Sequence, residues 1–398
     1  MSGKEQLRIL EVAALPFPSR QGTQVLLDAI CRGLAARGHE VHVLVYAHGA
    51  FPFRAPYRVH RLSDAPRFRS LRSGPDWRRI VLDAQLVVEV RRLAGKLRPD
   101  VIHLHNVEAA AATLLPPARP AAPCVYHAHN LMEHELPTYG SLGPVAVARS
   151  LGRQLDTVLP ARADLTLAVS EPTRAGLIAA GADAARVVTV EPGVDPSDLA
   201  AGSLPPPPPG EQASSAPGRW NPAGPLCIAH LGNLDRYQGV RRILQAASHL
   251  RSTGVAVDFV AVTESEPDAV RKEAHRLEVP ARFVLHGSLA DALAAVADCH
   301  VAVLARHVPG GFPIKAIALL QAGVPVVAAP SAVAGLGLDD VVWLAENDEP
   351  PALAAACIAA ATDPQAADRC ARGRRLAAER FSSAAAAERI EAALRRIV

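Results

Sequence analysis

Short apolar runs rich in valine, leucine and isoleucine alternate with longer amphipathic runs almost from end to end of this 398-residue chain, and that alternation limits the fold most. Short apolar runs separated by helical stretches are the pattern of parallel strands joined by crossover helices, with helices covering both sheet faces. Leu7 to Ala14 reads as a strand, Thr23 to Arg37 as a helix with Val25, Leu26, Ala29, Ile30 and Leu34 on one side, and Val41 to Tyr46 as the next strand. Val101 to His105, Cys124 to His129, Leu165 to Ser170 and Val187 to Val190 continue the series. It then stops. Between Asp195 and Pro225 stand five consecutive prolines, Pro205 to Pro209, followed by GEQASSAPGRWNPAGP, the composition of a linker or loop insertion.

The series restarts at Leu226 to Leu231, with a helix from Gly239 to Leu250 and strands at Val255 to Val262, Arg282 to His286, His300 to Leu304 and Val326 to Ala329. The expected fold is therefore α/β, with two doubly wound Rossmann-like domains facing a central cleft, where strand carboxyl ends gather ligands. The domains are predicted at 1–196 and 225–381, separated by the Pro-rich segment 197–224. In the last stretch, 382–398, Ser382 or Ser383 can cap a helix with Ile390, Leu394 and Ile397 at helical spacing. That helix is expected to pack across the domain boundary or to close the second core.

Composition narrows the class. Hydrophobic residues at 49% and charged residues at 20% are an ordinary globular balance, and no apolar run reaches the roughly 18 residues that cross a bilayer. With no signal-peptide pattern, a cytoplasmic location is expected. Six cysteines stand singly, without a Cys-x-x-Cys pair, and read as reduced core residues. The net charge is only +3, yet residues 51–100 hold twelve Arg or Lys against five Asp or Glu, with Phe51, Phe53, Tyr57, Phe68 and Trp77 among them. Cations mixed with aromatics suit an anionic membrane surface, so peripheral contact with the inner membrane face is expected. No nucleic-acid motif accompanies the patch, and nucleic acid is not expected as a partner.

The chemistry-bearing segments sit at strand ends. No Gly-x-Gly-x-x-Gly follows the first strand and there is no Walker loop, which argues against nicotinamide and P-loop chemistry. Instead PFPSRQGT enters a helix at Gly22 and Thr23, where backbone N–H groups can approach a phosphate or hydroxyl. His103 and His105 share one face of their strand, as do His127 and His129, and Asn106 and Asn130 follow them. Four imidazoles can in principle converge on a metal, but no acidic partner is evident beside them, and a histidine at a strand's end equally suits a substrate hydroxyl. No metal is expected. His129, His105 and Asn130 are candidates for the wall of the first domain's cleft, whereas His39 reads as structural.

In the second half the turn GNLDRYQG offers Gly232 for close approach and Asn233 and Gln238 as neutral donors. Further on, Arg306 precedes GGFPIKAIALLQAGVPVVAAP, in which Gly310, Gly311, Phe312, Pro313 and Ile314 lead a helix toward Lys315. A helix N-terminus favours an anion, and the chain keeps only four lysines against 38 arginines, so Lys315 is marked out. With Arg306 it could surround a diphosphate.

These segments, with LAARGHEVHVLVY, PDVIHLH, VYHAHN, ADLTLAVS, VEPGVD, LHGSL and ADCHVAVLA, resemble in order and spacing the family 4 retaining glycosyltransferases of the GT-B fold. The resemblance implies a first domain for the acceptor and a second for a nucleotide-sugar donor, with Lys315 and His129 as catalytic residues and no cofactor. It further implies retention without metal, a diphosphate oxygen taking the acceptor proton, and an acceptor that is lipid-linked or a polysaccharide or glycolipid precursor. The family usually has Arg and Lys where Asn233 and Gln238 stand, and glutamates where Gly310 and Ala318 stand; a branch with a Tyr-Gln-Gly turn and a Pro-x-Lys loop shares this chain's pattern. The alternative expectation is a catalytically degenerate GT-B protein that binds a nucleotide sugar or a partner.

Overall fold

The computed structural model describes residues 5–19, 21–50, 54–65, 67–68, 76–115, 119–139, 143–195, 220–285, 289–306 and 311–398. The Pro-rich segment, Gly310, Phe51 and Phe53 lie outside the described residues. By contacts the chain forms two units: residues 1–194 with 310–312 and 382–398, and residues 195–309 with 313–381.

The first unit is built on seven parallel strands, β1 (Arg8–Ala13), β2 (Glu40–Val45), β3 (Arg58–Arg61), β4 (Val101–His105), β5 (Cys124–Ala128), β6 (Leu165–Ala168) and β7 (Val187–Thr189). Their order is β3-β2-β1-β4-β5-β6-β7, so winding reverses between β1 and β4. On one face Leu10, Val12, Ile102, Leu104 and Tyr126 meet Leu82, Leu86, Val90 and Leu93 of the helix Trp77–Leu97. Each such side chain contributes about 1.5–3 kcal/mol by leaving water. The other face differs. Register pairs Glu11 with His103 and His105 with His127, which sets a polar ladder into the middle of a buried sheet.

The second unit repeats the winding with β8 (Leu226–Leu231), β9 (Val257–Thr263), β10 (Ala281–Leu285), β11 (Val301–Leu304), β12 (Val326–Ala328) and β13 (Trp343–Leu344), all parallel, in the order β10-β9-β8-β11-β12-β13. Its reversal falls between β8 and β11. Two strands escape the sequence pattern. β3 is a half-exposed edge strand reading RVHR, and β13 has only two residues.

The last helix, Ser383–Leu394, belongs to the first unit and does not close the second core. Ser382 caps it, accepting from the Ala385 N–H at 3.3 Å. A Cβ at Gly33, on the helix Gly22–Ala36, would come within 2.5 Å of the Ala387 Cβ, so glycine is what lets these two helices touch. Arg37 pairs with Glu391, while His39 accepts from the Leu7 N–H at 3.2 Å and stands 3.4 Å from Glu391. His39 is thus a structural residue. All six cysteines are free thiols, five of them buried.

The basic and aromatic segment needs correction. Tyr57 and Phe68 are buried, the first donating to Asp28 at 2.6 Å and the second packed edge-on against Tyr46. Trp77 alone among its described aromatics is exposed, at 67%.

Candidate functional site

In the first unit a pocket opens where β1, β4 and β5 end, beside the reversal point. Thr23 and Gln24 reach it from the helix after β1, Asn106 and Glu108 from the helix Asn106–Leu114 after β4, and His129 and Asn130 from the turn after β5. Arg79, Glu135 and Tyr139 complete its polar wall. Asn106 sits in the left-handed region at φ 66°, where its side chain still accepts from the Ala109 N–H at 3.3 Å, and this turns β4 directly into its helix.

The charges are set by burial. Glu108 is pushed up to about 7 by desolvation, and Arg79, 3.8 Å away, relieves only part of this. Glu135 accepts from the Tyr139 hydroxyl. His129 is held well below its ordinary value by burial and then by His105 and His103, so it faces the pocket as a neutral imidazole. Such walls offer donors and acceptors suited to a hydroxyl-rich ligand.

Beneath His129 lies the ladder. His105 Nδ1 is 3.3 Å from His129 Nε2, and His105 Nε2 is 2.7 Å from Glu11 Oε2. Burial pushes the Glu11 carboxyl up, but His103 and His105 pull it down to about 2. Thr23, His129 and Asn130 line the pocket, whereas His105 is fully buried behind His129. Gly22 only opens the helix after the Gln21 cap. The acidic partner absent from the sequence reading is Glu11. Its signal is a carboxylate inside the apolar strand RILEVA.

In the second unit the turn after β8 and the residues after β11 meet at the other reversal point. Gly232 sits at φ 111°, a backbone conformation that favours glycine, and the place of its missing Cβ lies 3.4 Å from Lys315 Nζ, so the turn and the lysine are in ordinary contact. Burial and then Arg306 pull Lys315 down to about 7, with Asp235 acting against them. Lys315 stands in the first turn of the helix Ile314–Ala322, whose cap is Pro313, with Arg306 close enough to repel it. His230 donates from Nε2 to the Asn233 carbonyl at 3.1 Å; burial and then Lys315 keep it neutral.

Among the described residues, Asn233 Oδ1 and Gln238 Oε1 are buried without a hydrogen-bond partner. Both are acceptors, so they suit hydroxyls better than phosphate. Gly311 and Phe312 cluster with the first unit, where the Gly311 N–H donates to Thr173 Oγ1 at 2.9 Å and its carbonyl accepts from Ser170 Oγ at 3.1 Å. That N–H is engaged within the first unit. Ile314 starts the helix one residue before Lys315, and Ala318 is buried within it.

A family model described as Glycosyltransferase Family 4 matches residues 20–198, and one described as Glycosyl transferases group 1 matches residues 225–363. The chain belongs to the family 4-like glycosyltransferases of the GT-B fold. Solved structures agree on the fold of this glycosyltransferase. Sucrose-phosphate synthase from Thermosynechococcus elongatus is 16% identical with a TM-score of 0.77, covering 99% of each chain. Anabaena HepE in complex with UDP and glucose is 18% identical with a TM-score of 0.70, over 98% of this chain and 99% of that one. WaaG, a glycosyltransferase involved in lipopolysaccharide biosynthesis, is 15% identical with a TM-score of 0.66 over the same shares. No curated protein sequence matches significantly.

Proposed function

We propose that this glycosyltransferase moves a sugar from a nucleotide-sugar donor held by the second unit to an acceptor hydroxyl held by the first, with retention and without a metal at the transfer step. The observation that carries the reading is Lys315, a desolvated ammonium drawn against the Gly232 turn beside Arg306. Positive charge where a diphosphate leaves, from Arg306 and from Lys315 once the bound diphosphate restores its proton, stabilises the developing anion at the moment of bond cleavage. Asn233 and Gln238 supply unpaired acceptors for ribose or sugar hydroxyls. Complexes with UDP, UDP-glucose and UDP-2-fluoro glucose among similarly folded proteins support a nucleotide-sugar donor.

As the glycosidic bond breaks, Lys315 and Arg306 neutralise the departing diphosphate, and the sugar passes through an oxocarbenium-like state. The acceptor attacks on the face the diphosphate leaves. A diphosphate oxygen takes its proton, so no protein base is needed, and His129 holds the sugar or acceptor hydroxyl in place. Lys315→Ala should lower transfer about 10²–10³-fold with the fold intact, and unchanged transfer would remove the proposed role. A thermal-shift screen of nucleotide sugars identifies the donor, since a ligand bound only by the folded state raises Tm with concentration.

The acceptor is proposed to be lipid-linked or a polysaccharide or glycolipid precursor, met at an anionic membrane surface. Among the described residues no helix is long and apolar enough to cross a membrane. The helix Trp77–Leu97 nevertheless exposes Trp77, Ile80, Val81 and Val88, at i, i+3, i+4 and i+11, with the half-exposed cations Arg78 and Arg92 nearby. One apolar stripe beside basic residues is the composition of an interfacial helix. Salt-sensitive sedimentation with anionic vesicles, lost in Trp77→Ser/Ile80→Ser, is the expected result; equal indifference to neutral and anionic lipid overturns it.

A second reading, a degenerate binding module, rests on the alanine at 318, buried in its helix where the family carries a glutamate. Binding of a nucleotide sugar without turnover on any acceptor would favour it.

A further inference from the structure

The imidazole ladder beneath the first unit's pocket is more than sugar transfer requires. His103 Nδ1 lies 2.8 Å and His105 Nε2 2.7 Å from the same Glu11 oxygen, and none of the three side chains has any exposed surface. His103 Nδ1, though close, is not aligned to donate to it. Among the described residues, both ring nitrogens of His127, Nε2 of His103 and Oε1 of Glu11 are likewise buried without a hydrogen-bond partner. A buried polar atom left unpaired forfeits its hydration with nothing in return, and here several such atoms face one another.

We propose that His103, His105 and His127, with Glu11 as the anionic fourth group, form a binding site for a divalent first-row cation of the zinc type. One ligating nitrogen from each histidine lies within 4.8 Å of the others. Ring centroids are 4.3 Å apart for His103 and His105, 5.1 Å for His103 and His127, and 5.4 Å for His105 and His127. Tetrahedral zinc with ligand bonds of about 2.0–2.1 Å separates its ligand atoms by about 3.4 Å, so the His103 and His105 nitrogens must part slightly from the Glu11 oxygen while the rings draw toward one another. Imidazole with one carboxylate selects zinc-like ions over magnesium or calcium, which prefer oxygen alone.

The four groups come from β1, β4 and β5, neighbours at the centre of the sheet. Filled by them alone, the shell has no open position, so the ion is structural: it pairs the orphaned nitrogens and balances the buried carboxylate. His129 gives the way in. It is partly exposed in the pocket, 3.3 Å from His105 and stacked on His127 at a centroid distance of 4.7 Å.

The test uses the full chain, stripped with chelator, incubated with Zn²⁺, desalted and analysed for metal. About one zinc per chain should be retained, with Tm rising as free Zn²⁺ rises. Co²⁺ in place of zinc should give the visible absorption of a tetrahedral nitrogen and oxygen shell, a readout needing no variant. His127→Gln leaves both Glu11 contacts in place; its circular dichroism should match the parent while retained zinc falls at least about tenfold. Parent protein that holds no stoichiometric zinc and gives no cobalt band overturns the proposal, as does a folded His127→Gln that binds like the parent. Should His127→Gln fail to fold, the cobalt spectrum of the parent decides.

Discussion

Lys315 is a cation that the fold holds against its own interest. Burial and Arg306 bring it down to about 7 from an ordinary value of 10.5, so above neutral pH the free protein carries it mostly uncharged. If the donor diphosphate sits against it as proposed, binding should return the proton. Affinity for the donor nucleotide found by the thermal-shift screen should then fall as pH rises through 7 toward 9, by up to about tenfold per unit, with net proton uptake on binding. Calorimetry in two buffers of different ionisation enthalpy measures both, and a pH-independent affinity would exclude Lys315 as the contact. The same depression means that the parent gains stability as pH rises from 7 toward 10.5. Lys315→Met should flatten that rise and, at pH 6, raise stability in urea by on the order of 1–3 kcal/mol, because the penalised charge is gone. Lys315 is legible in sequence because lysine is rare here and stands at a strand-to-helix turn. Glu11 is legible only as an oddity in an apolar strand until register places it against His103. Arg79, Glu108 and Glu135 are not legible at all: a charged residue on a helix reads as a solvated face until packing turns it inward.

At the scale of elements, the central strands are legible because burial on both faces makes them apolar runs, as in VAVL and VVA. β3 and β13 are not, since an edge strand or a two-residue pairing carries no such run. The short helix Met132–Glu135 shows how irregular elements are held. It places Met132 and Glu135 in the pocket wall, yet four residues cannot stabilise themselves. Asp156, on the helix Val145–Arg162, accepts from the Met132 N–H at 3.0 Å and the Glu133 N–H at 2.9 Å. At Gly152 a Cβ would lie 2.2 Å from the Met132 carbonyl oxygen, so glycine admits the contact. Asp156→Ala leaves two helix-start donors unpaired and should cost roughly 2–3 kcal/mol in urea unfolding. It should weaken acceptor use while leaving affinity for the donor nucleotide unchanged, because the residue belongs to the first unit alone. A loss of donor-nucleotide affinity of similar size would contradict that assignment.

At the scale of the whole molecule, the same winding occurs twice, and each reversal point gathers its own polar groups at strand carboxyl ends. This much follows from strand and helix periodicity. The return of residues 382–398 to the first unit does not, because an amphipathic helix fits any apolar surface and only tertiary packing chooses. Here the choice is written in Gly33 and Glu391. Burial pushes the Glu391 carboxyl up, but Arg37 and Arg395 hydrogen-bond it and His39 adds attraction, so it is held down at about 2. A carboxyl whose folded value lies below the unfolded one contributes stability above about pH 4.5 and loses it as pH falls toward 2. Glu391→Gln should therefore lower Tm at pH 7 and make the decline between about pH 4.5 and 3 shallower than in the parent. Parallel melting curves of the two proteins across that range measure the difference. If both lose Tm with the same slope, the acid sensitivity resides elsewhere and the terminal helix is held by apolar packing alone.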